Sequence, residues 1–410
     1  MNCRHCTSVL KNVFVDLINC PPSNSMLEKE QLNEPEIFYP LKIFVCDNCK
    51  LVQVDEMKKA EEIFDGEYTY FSSYSTSWLA HAKKYVDMMM DRYGFTEESQ
   101  IIEIASNDGY LLQYFMGYDV PVLGVDPTAN TAAAAKQKGI ETIIDFFGSF
   151  FAQKQLVQRG IKGDLIIGNN VLAHVPDIND FVKGLKIALK EDGIITMEFP
   201  HLHRLVEECQ FDTIYHEHFS YLSFTTVKRI FEHQELELFD VEEIPTHGGS
   251  LRIFAKHVAD KSKHISSNFN KLLQKEEKAG ILSLDYYCNF QERVDKVKYD
   301  FLDFLIRQKR QDKKVVGYGA AAKGNTLLNY CGIKGTDLIS FVVDASPYKQ
   351  NKFLPGSRIP VLGLDHIEKH KPDYVIIFPW NLSKEIREQL QYIREWGGKF
   401  VVFIPGIEIF

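Results

Sequence analysis

Two stretches of the chain alternate between strand and helix patterns, and this constrains the fold more than any other feature. In the first, strand patterns at 100–104, 120–125, 141–144, 165–168 and 193–199 are separated by helical ones. Such alternation predicts a parallel, doubly wound sheet. A helix at 225–233 and two strands at 236–244 and 251–256, joined around His247-Gly248-Gly249, predict an antiparallel pair at its edge. Residues 262–312 are charged and helical in period, and read as a helical connector. The second series, with strands at 314–318, 338–343, 374–378 and 399–404, predicts a separate Rossmann-like domain.

Ahead of these lie two tight cysteine pairs, Cys3-x-x-Cys6 and Cys46-x-x-Cys49, the second directly after a strand pattern at 41–45. A two-residue gap lets one knuckle present both thiolates to one metal, so the four together suit tetrahedral zinc. With all four ligands supplied by protein no position remains for substrate, and the zinc is expected to be structural. The expected organisation is therefore α/β, with a small zinc-binding lobe (1–75), a central Rossmann-like domain (76–260) and a C-terminal Rossmann-like α/β domain (261–410). A helix over 78–93 would open the central unit.

Composition excludes more than it assigns. A net charge of −9 over 410 residues opposes binding to a phosphate backbone, so no nucleic-acid partner is expected. No run of 18 apolar residues occurs and no signal peptide is legible, so a cytoplasmic protein without a membrane span is expected.

The first α/β series carries the ligand signature. Glu103-Ile104-Ala105-Ser106-Asn107-Asp108-Gly109 is a strand end, a polar turn and a helix start, where nucleotide-like ligands bind. Glu103 or Asp108 is suited to meet an ammonium group, and Gly109 to let backbone approach a ligand closely. About 20 residues on, Gly124-Val125-Asp126 places an acid where it can accept ribose hydroxyls. The dinucleotide fingerprint G-x-G-x-x-G is absent, which points to S-adenosylmethionine rather than a nicotinamide cofactor.

Three later segments reach the same sheet edge. Asn170 and His174 follow the fourth strand, and Tyr215-His216-Glu217-His218 follows the fifth; the latter is the candidate for acid–base work, since histidine titrates near neutrality. Its spacing is not that of an H-E-x-x-H zinc protease. His247, Gly249 and Arg252 form a glycine turn with a cation. Gly317-Tyr318-Gly319-Ala320-Ala321-Ala322-Lys323-Gly324-Asn325 resembles an anion cradle, with Gly319 and Lys323 as its contacts.

Taken in order, the cysteine pairs, Tyr68-Thr69-Tyr70-Phe71-Ser72-Ser73, the Glu103 loop, the Tyr215 cluster, the His247 turn and the Lys323 loop resemble the C-methyltransferases of nucleotide-linked deoxysugars. The resemblance implies a class I methyltransferase fold for the central domain, with substrate held between domains and methyl transfer from S-adenosylmethionine to a carbon alpha to the ketone of a 4-keto sugar linked to deoxythymidine diphosphate, C3 before C5. It further implies His218 as base, Glu217 orienting it, Tyr215 and His174 holding the keto sugar, and Tyr68 or Tyr70 reaching in from the lobe. The spacing alone leaves His216 and His218 equivalent. The resemblance favours a monomer. Two other readings compete: an O- or N-methyltransferase of another small metabolite, and a zinc-ribbon binding protein whose methyltransferase domain is inactive.

Overall fold

The computed structural model describes residues 1–63 and 71–410. Three sheets account for its architecture. Strands β1 (Asn12–Cys20), β2 (Tyr39–Val45) and β3 (Val52–Val54) form an antiparallel sheet in the N-terminal lobe. Its fourth strand, Ser220–Tyr221, comes from far along the chain.

The central sheet begins with β4 (Ile101–Ile104), β5 (Val122–Val125), β6 (Thr142–Ile143), β7 (Gly163–Asn169) and β8 (Leu189–Pro200). Strand Ser220–Tyr221 is β9, and β10 (Leu236–Ile244) and β11 (Ser250–His257) complete the series. The order is β10-β11-β8-β7-β4-β5-β6, parallel from β8 to β6 and antiparallel at β10 and β11, as the alternation predicts. All four residues of β4 are buried, as expected of a parallel strand covered on both faces. The helix Thr76–Tyr93 lies on this sheet: Ser75 caps it by accepting from Trp78 N–H (3.2 Å), Gly94 ends it at φ +63°, and Ala82, Tyr85, Val86 and Met89 form its buried stripe.

The C-terminal sheet comprises β12 (Val315–Tyr318), β13 (Val342–Val343), β14 (Val361–Leu362), β15 (Tyr374–Ile377), β16 (Lys399–Val402) and β17 (Glu408–Ile409), ordered β14-β13-β12-β15-β16-β17. The connector is broken at Gly280 (φ +87°) into helices that serve different cores. Phe269 and Leu272 of Ser267–Ala279 pack with the central sheet, whereas Val294, Phe301, Phe304 and Leu305 of Phe290–Arg310 pack with the C-terminal one.

The N-terminal sheet has no core of its own. Phe14, Val15, Leu17, Leu41 and Ile43 belong to one buried cluster with Phe290, Phe301, Leu328 and Phe378. The cysteine knuckles instead pack in the cluster of the central sheet, beside Leu222 and Val227. The lobe is thus wedged between the two α/β units. Among the described residues no helix is long and apolar enough to cross a membrane.

This sharing sets an expectation for unfolding. Phe14 stacks on Phe290 at 4.4 Å between ring centroids and is 2% exposed. Phe14→Ala is expected to cost about 3–5 kcal/mol in denaturant unfolding. Amide exchange should rise in the helix Phe290–Arg310 as well as in β1; protection lost in β1 alone would show that the lobe folds independently.

Candidate functional site

Ligands of open α/β sheets bind beyond the carboxyl ends of the strands, where strand order reverses. In the central sheet that point lies between β4 and β7, so the loops 105–109 and 170–174 leave side by side. The first loop turns sharply, with positive φ at Ala105 (+56°), Asn107 (+50°) and Gly109 (+73°). A Cβ on Gly109 would lie 2.4 Å from Ile140 Cδ1, so close packing, rather than access for a ligand, excludes a side chain there. Asp126, beyond β5, accepts from Asn107 N–H (2.8 Å) with one oxygen and Thr128 N–H (2.9 Å) with the other, and thereby fixes the loop. Asn107 Oδ1 accepts from Ser72 N–H (2.9 Å), while Asp108 receives the Ser73 hydroxyl and lies 3.4 Å from Lys138 Nζ. Glu103 is wholly buried, and burial pushes its carboxyl well above the usual range against the opposing Tyr110 side chain.

Ser106 Oγ, Asp108 Oδ1 and Asn169 Oδ1 are buried at this edge with no hydrogen-bond partner among the described residues. Buried polar atoms left unpaired cost about 1–3 kcal/mol each, which a ligand's hydroxyls and ammonium would relieve. The donor-accepting character of the set fits the ribose and amino-acid moiety of S-adenosylmethionine.

Across the crevice, the segment 215–218 splits its two imidazoles. His218 Nδ1 lies 2.8 Å from Thr213 O. A carbonyl only accepts, so Nδ1 carries the proton and Nε2 of the neutral ring keeps its lone pair. Burial pushes the His218 imidazole well below its ordinary range, and the His174 ring adds to this. His174 stands edge-on at 4.6 Å between centroids and Tyr215 lies at 4.1 Å. His174 is itself pushed down to about 4 by burial, against the Glu217 backbone carbonyl that it meets. His216 turns the other way: its Nε2 is 3.2 Å from Pro40 O and its ring meets Tyr39 edge-on. Glu217 does not orient His218, contrary to the expectation above. Both its oxygens accept from Asn24 Nδ2, at 2.8 and 2.9 Å, and burial pushes it up to about 7; Thr213 O takes the orienting role.

The C-terminal sheet reverses its order between β12 and β15, and the loops there meet this cluster. Lys323 Nζ donates to Asn381 Oδ1 (2.8 Å) and lies 4.3 Å from the centroid of the Trp380 ring. Burial pushes it down to about 8, with Asp212 opposing. Trp380 Nε1 donates in turn to Asp212 (2.7 Å), whose carboxyl burial pushes up to about 6. Asp212, Trp380, Asn381 and the Thr213 carbonyl were not singled out in the sequence. A legible signal existed for two of them, since Pro379-Trp380-Asn381 follows a strand pattern on the same edge as the Lys323 loop. His247, at φ +55°, holds Nε2 3.2 Å from Asn170 Nδ2 and meets Trp78 edge-on; burial pushes it down to about 4.

Three further expectations are altered. Arg252 is not available to substrate: Nε donates to Glu198 (2.7 Å) and an outer nitrogen to Glu242 (2.6 Å), while Glu198 also holds His81 (2.8 Å). Gly249 (φ +113°) sits against Arg204, 2.9 Å from a Cβ placed there, so packing rather than anion binding explains it. Gly319 (φ +89°) similarly meets Pro379 at 2.6 Å, and the next amide, Ala320 N–H, goes to Asp344 (2.7 Å). The Lys323 loop thus presents a cation beside the Trp380 ring, with its Ala320 amide already taken by Asp344. Tyr68 and Tyr70 lie outside the described residues.

The four cysteines converge as the spacing predicts. The sulfurs of Cys3, Cys6, Cys46 and Cys49 all lie within 4.8 Å of one another, with the pairs Cys3–Cys49 and Cys6–Cys46 at 3.5 Å. A Zn–S length of about 2.3 Å in a tetrahedron gives sulfurs about 3.8 Å apart, so the quartet fits zinc.

Comparison with known proteins agrees with this geometry. Family models match at residues 3–64 ("Putative zinc binding domain"), 79–241 ("Methyltransferase domain") and 245–405 ("C-methyltransferase C-terminal domain"). The C-methyltransferase NovU of Streptomyces niveus is 34% identical over 385 residues, covering 94% of this chain and 91% of its own. The chain belongs to this C-methyltransferase family. It is an S-adenosylmethionine-dependent enzyme with a zinc-binding lobe. A Ubiquinone biosynthesis O-methyltransferase of Bartonella bacilliformis is 22% identical over 134 residues, covering 32% of this chain and 54% of its own. Among solved structures, magnesium protoporphyrin IX methyltransferase from Synechocystis PCC 6803 shares 13% identity at a TM-score of 0.35, over 44% of this chain and 83% of its own.

The depressed imidazoles give a sign to the pH dependence. His174 and His247 stay neutral in the folded enzyme down to about 4 but charge at about 6.5 when unfolded, so stability is lost as pH falls through that window. Each contributes a slope of about 1.4 kcal/mol per pH unit between those values. Urea unfolding of the zinc-loaded enzyme and of His247→Asn at pH 7, 6 and 5 should show the wild type losing more stability by about that slope. Parallel curves would place a charged His247 in the folded state.

Proposed function

We propose that this C-methyltransferase acts on a 4-keto-deoxysugar linked to a nucleoside diphosphate, deoxythymidine diphosphate in the first instance, through an enolate generated by His218. The observation that carries the reading is the His218 bond to Thr213 O, which leaves Nε2 as an unprotonated base throughout the neutral range. A carbon acceptor needs such a base, since a C–H bond alpha to a carbonyl must be broken before carbon becomes a nucleophile. An oxygen or nitrogen acceptor has far less need of it.

In this mechanism Nε2 of His218 takes the alpha proton, and the electron pair moves to the carbonyl oxygen. The Thr213 carbonyl, on the far side of the ring, stabilises the imidazolium. Tyr215 and His174, packed on the His218 ring, supply polar groups for the developing enolate oxygen. S-adenosylmethionine, when bound, supplies an electrophilic methyl whose bond to sulfur breaks as the new C–C bond forms. Ser106, Asp108 and Asn169, with Asp126 bracing their loop and Glu103 behind them, would hold it at the carboxyl edge of β4, β5 and β7. Lys323 is a cation that acts on both His218 and His247 and is assigned to the diphosphate as a point charge. C3 is proposed ahead of C5 as the carbon methylated. The partner is this small molecule, and the neutral-to-acidic surface favours neither nucleic acid nor an anionic membrane.

Two measurements test the assignment. His218→Asn is expected to lower methyl transfer to a dTDP-4-keto-deoxysugar by about 10²–10⁴-fold while S-adenosylhomocysteine still binds in calorimetry. Solvent deuterium should enter the sugar carbon with wild type and not with His218→Asn; transfer that survives the substitution refutes the base. Lys323→Met is expected to raise KM for the nucleotide sugar about 10- to 100-fold, the loss of a charge-assisted contact, with KM for S-adenosylmethionine unchanged.

A further inference from the structure

We propose that Gln53 and Arg4 are positioning residues through which the metal-loaded cysteine knuckle sets the spacing of His218 and His174. The proposal rests on the assignment of His218 as base.

Gln53 is wholly buried in the middle of β3 and is bound on three sides. Its Nε2 donates to Cys3 Sγ (3.2 Å) and Leu51 O (3.3 Å), and its Oε1 accepts from Arg4 N–H (2.9 Å). Its backbone pairs with Ser220 in β9, two residues beyond His218, and the neighbouring Val54 N–H donates to Phe219 O (3.2 Å). One side chain therefore joins a zinc ligand to the strand that leaves the catalytic segment.

Arg4 lies between the ligands Cys3 and Cys6 and touches both histidine-bearing segments. Its guanidinium sits over the Phe219 ring at 5.3 Å, next to His218. The same group donates to Val54 O (2.5 Å) and to Pro176 O (2.9 Å), two residues beyond His174. His5 extends the second arm, with Nδ1 2.8 Å from Asn179 Oδ1 and its own carbonyl accepting from Asn179 Nδ2 (2.8 Å). The knuckle 3–6 is thus a clamp, with β9 on one jaw and the 174–179 segment on the other.

The physical coupling follows from the metal. Thiolates bound to zinc are strong acceptors, and an N–H aimed at one fixes its donor in turn, as outer-shell partners of metal ligands do. A knuckle closed on its metal holds Arg4 and Gln53 in one geometry, so the two jaws keep their spacing. The His174–His218 ring contact at 4.6 Å is the distance it holds. A displacement of about 1 Å at reacting groups costs up to about 10²-fold in rate.

The test uses the full-length, zinc-loaded enzyme with histidine rings labelled at ¹³Cε1, the His218 and His174 resonances being assigned by their loss in His218→Asn and His174→Gln. Gln53→Leu, retaining one zinc per chain, is expected to shift the His218 resonance and to lower kcat about 10-fold or more, with both KM values within about 3-fold. A zinc-loaded Gln53→Leu with an unmoved His218 resonance and wild-type kcat overturns the proposal. If that variant does not hold its metal, Arg4→Met, which leaves the Gln53 bond to Cys3 in place, is read by the same two criteria. The resonance reports position without reference to chemistry. Hence retained transfer in His218→Asn defeats the base assignment alone, and an unmoved resonance in Gln53→Leu defeats the clamp alone.

Discussion

The pairing of β3 with β9 is the join on which the site depends. Only two registered pairs form it, Val52 with Tyr221 and Gln53 with Ser220. Yet it decides where the Tyr215–His218 segment runs, because that segment is otherwise a loop between the central sheet and the N-terminal lobe. At its other end the segment is tied through Asp212 to Trp380 of the C-terminal unit, and Thr326 Oγ1 donates to Ile214 O (2.9 Å) within it. A loop anchored at three lobes cannot be rigid unless the lobes share cores. The merged cluster running from Phe14 to Phe378 supplies that condition.

Burial explains the electrostatics of the cluster without any special device. Three imidazoles, His174, His218 and His247, are withdrawn from water together, and His174 and His247 further disfavour charge on His218. Lys323 deepens the effect on His218 and His247. Asp212, the carboxylate that opposes the shift at Lys323, is itself shifted upward by burial, so it compensates incompletely. The pocket thus favours neutral bases and a weakened cation, a combination that accepts an anion and a proton at different places.

What could be read from the sequence was what is local in it. The Glu103 loop, Asp126 and the cysteine quartet each follow from a strand, a turn and a fixed spacing within a few tens of residues. Partners set by tertiary register were not legible. Arg252 looked free because Glu198 and Glu242 oppose it only once β11 is seated between β8 and β10. Glu217 looked like the neighbour of His218 because the two adjoin in sequence, but its ligand Asn24 is 193 positions away. Strand β9, with two residues, carries no periodicity at all. The two imidazoles of 215–218 separated only when backbone placed one against Pro40 and the other against Thr213.

The two α/β units use one device to different ends. After the second strand of each, an aspartate binds its own i+2 amide with one oxygen and an amide of the first loop with the other: Asp126 with Thr128 and Asn107, Asp344 with Ser346 and Ala320. In the central unit the loop so fixed leaves Ser106 and Asp108 with unpaired buried atoms, which is a ligand site. In the C-terminal unit the same bond occupies the Ala320 amide, two residues before the helix Ala322–Tyr330, and Lys349 donates to the Ala320 carbonyl (2.8 Å). What the C-terminal unit brings to the His218 cluster is a side-chain cation, Lys323, carried by the loop at the reversal of strand order between β12 and β15.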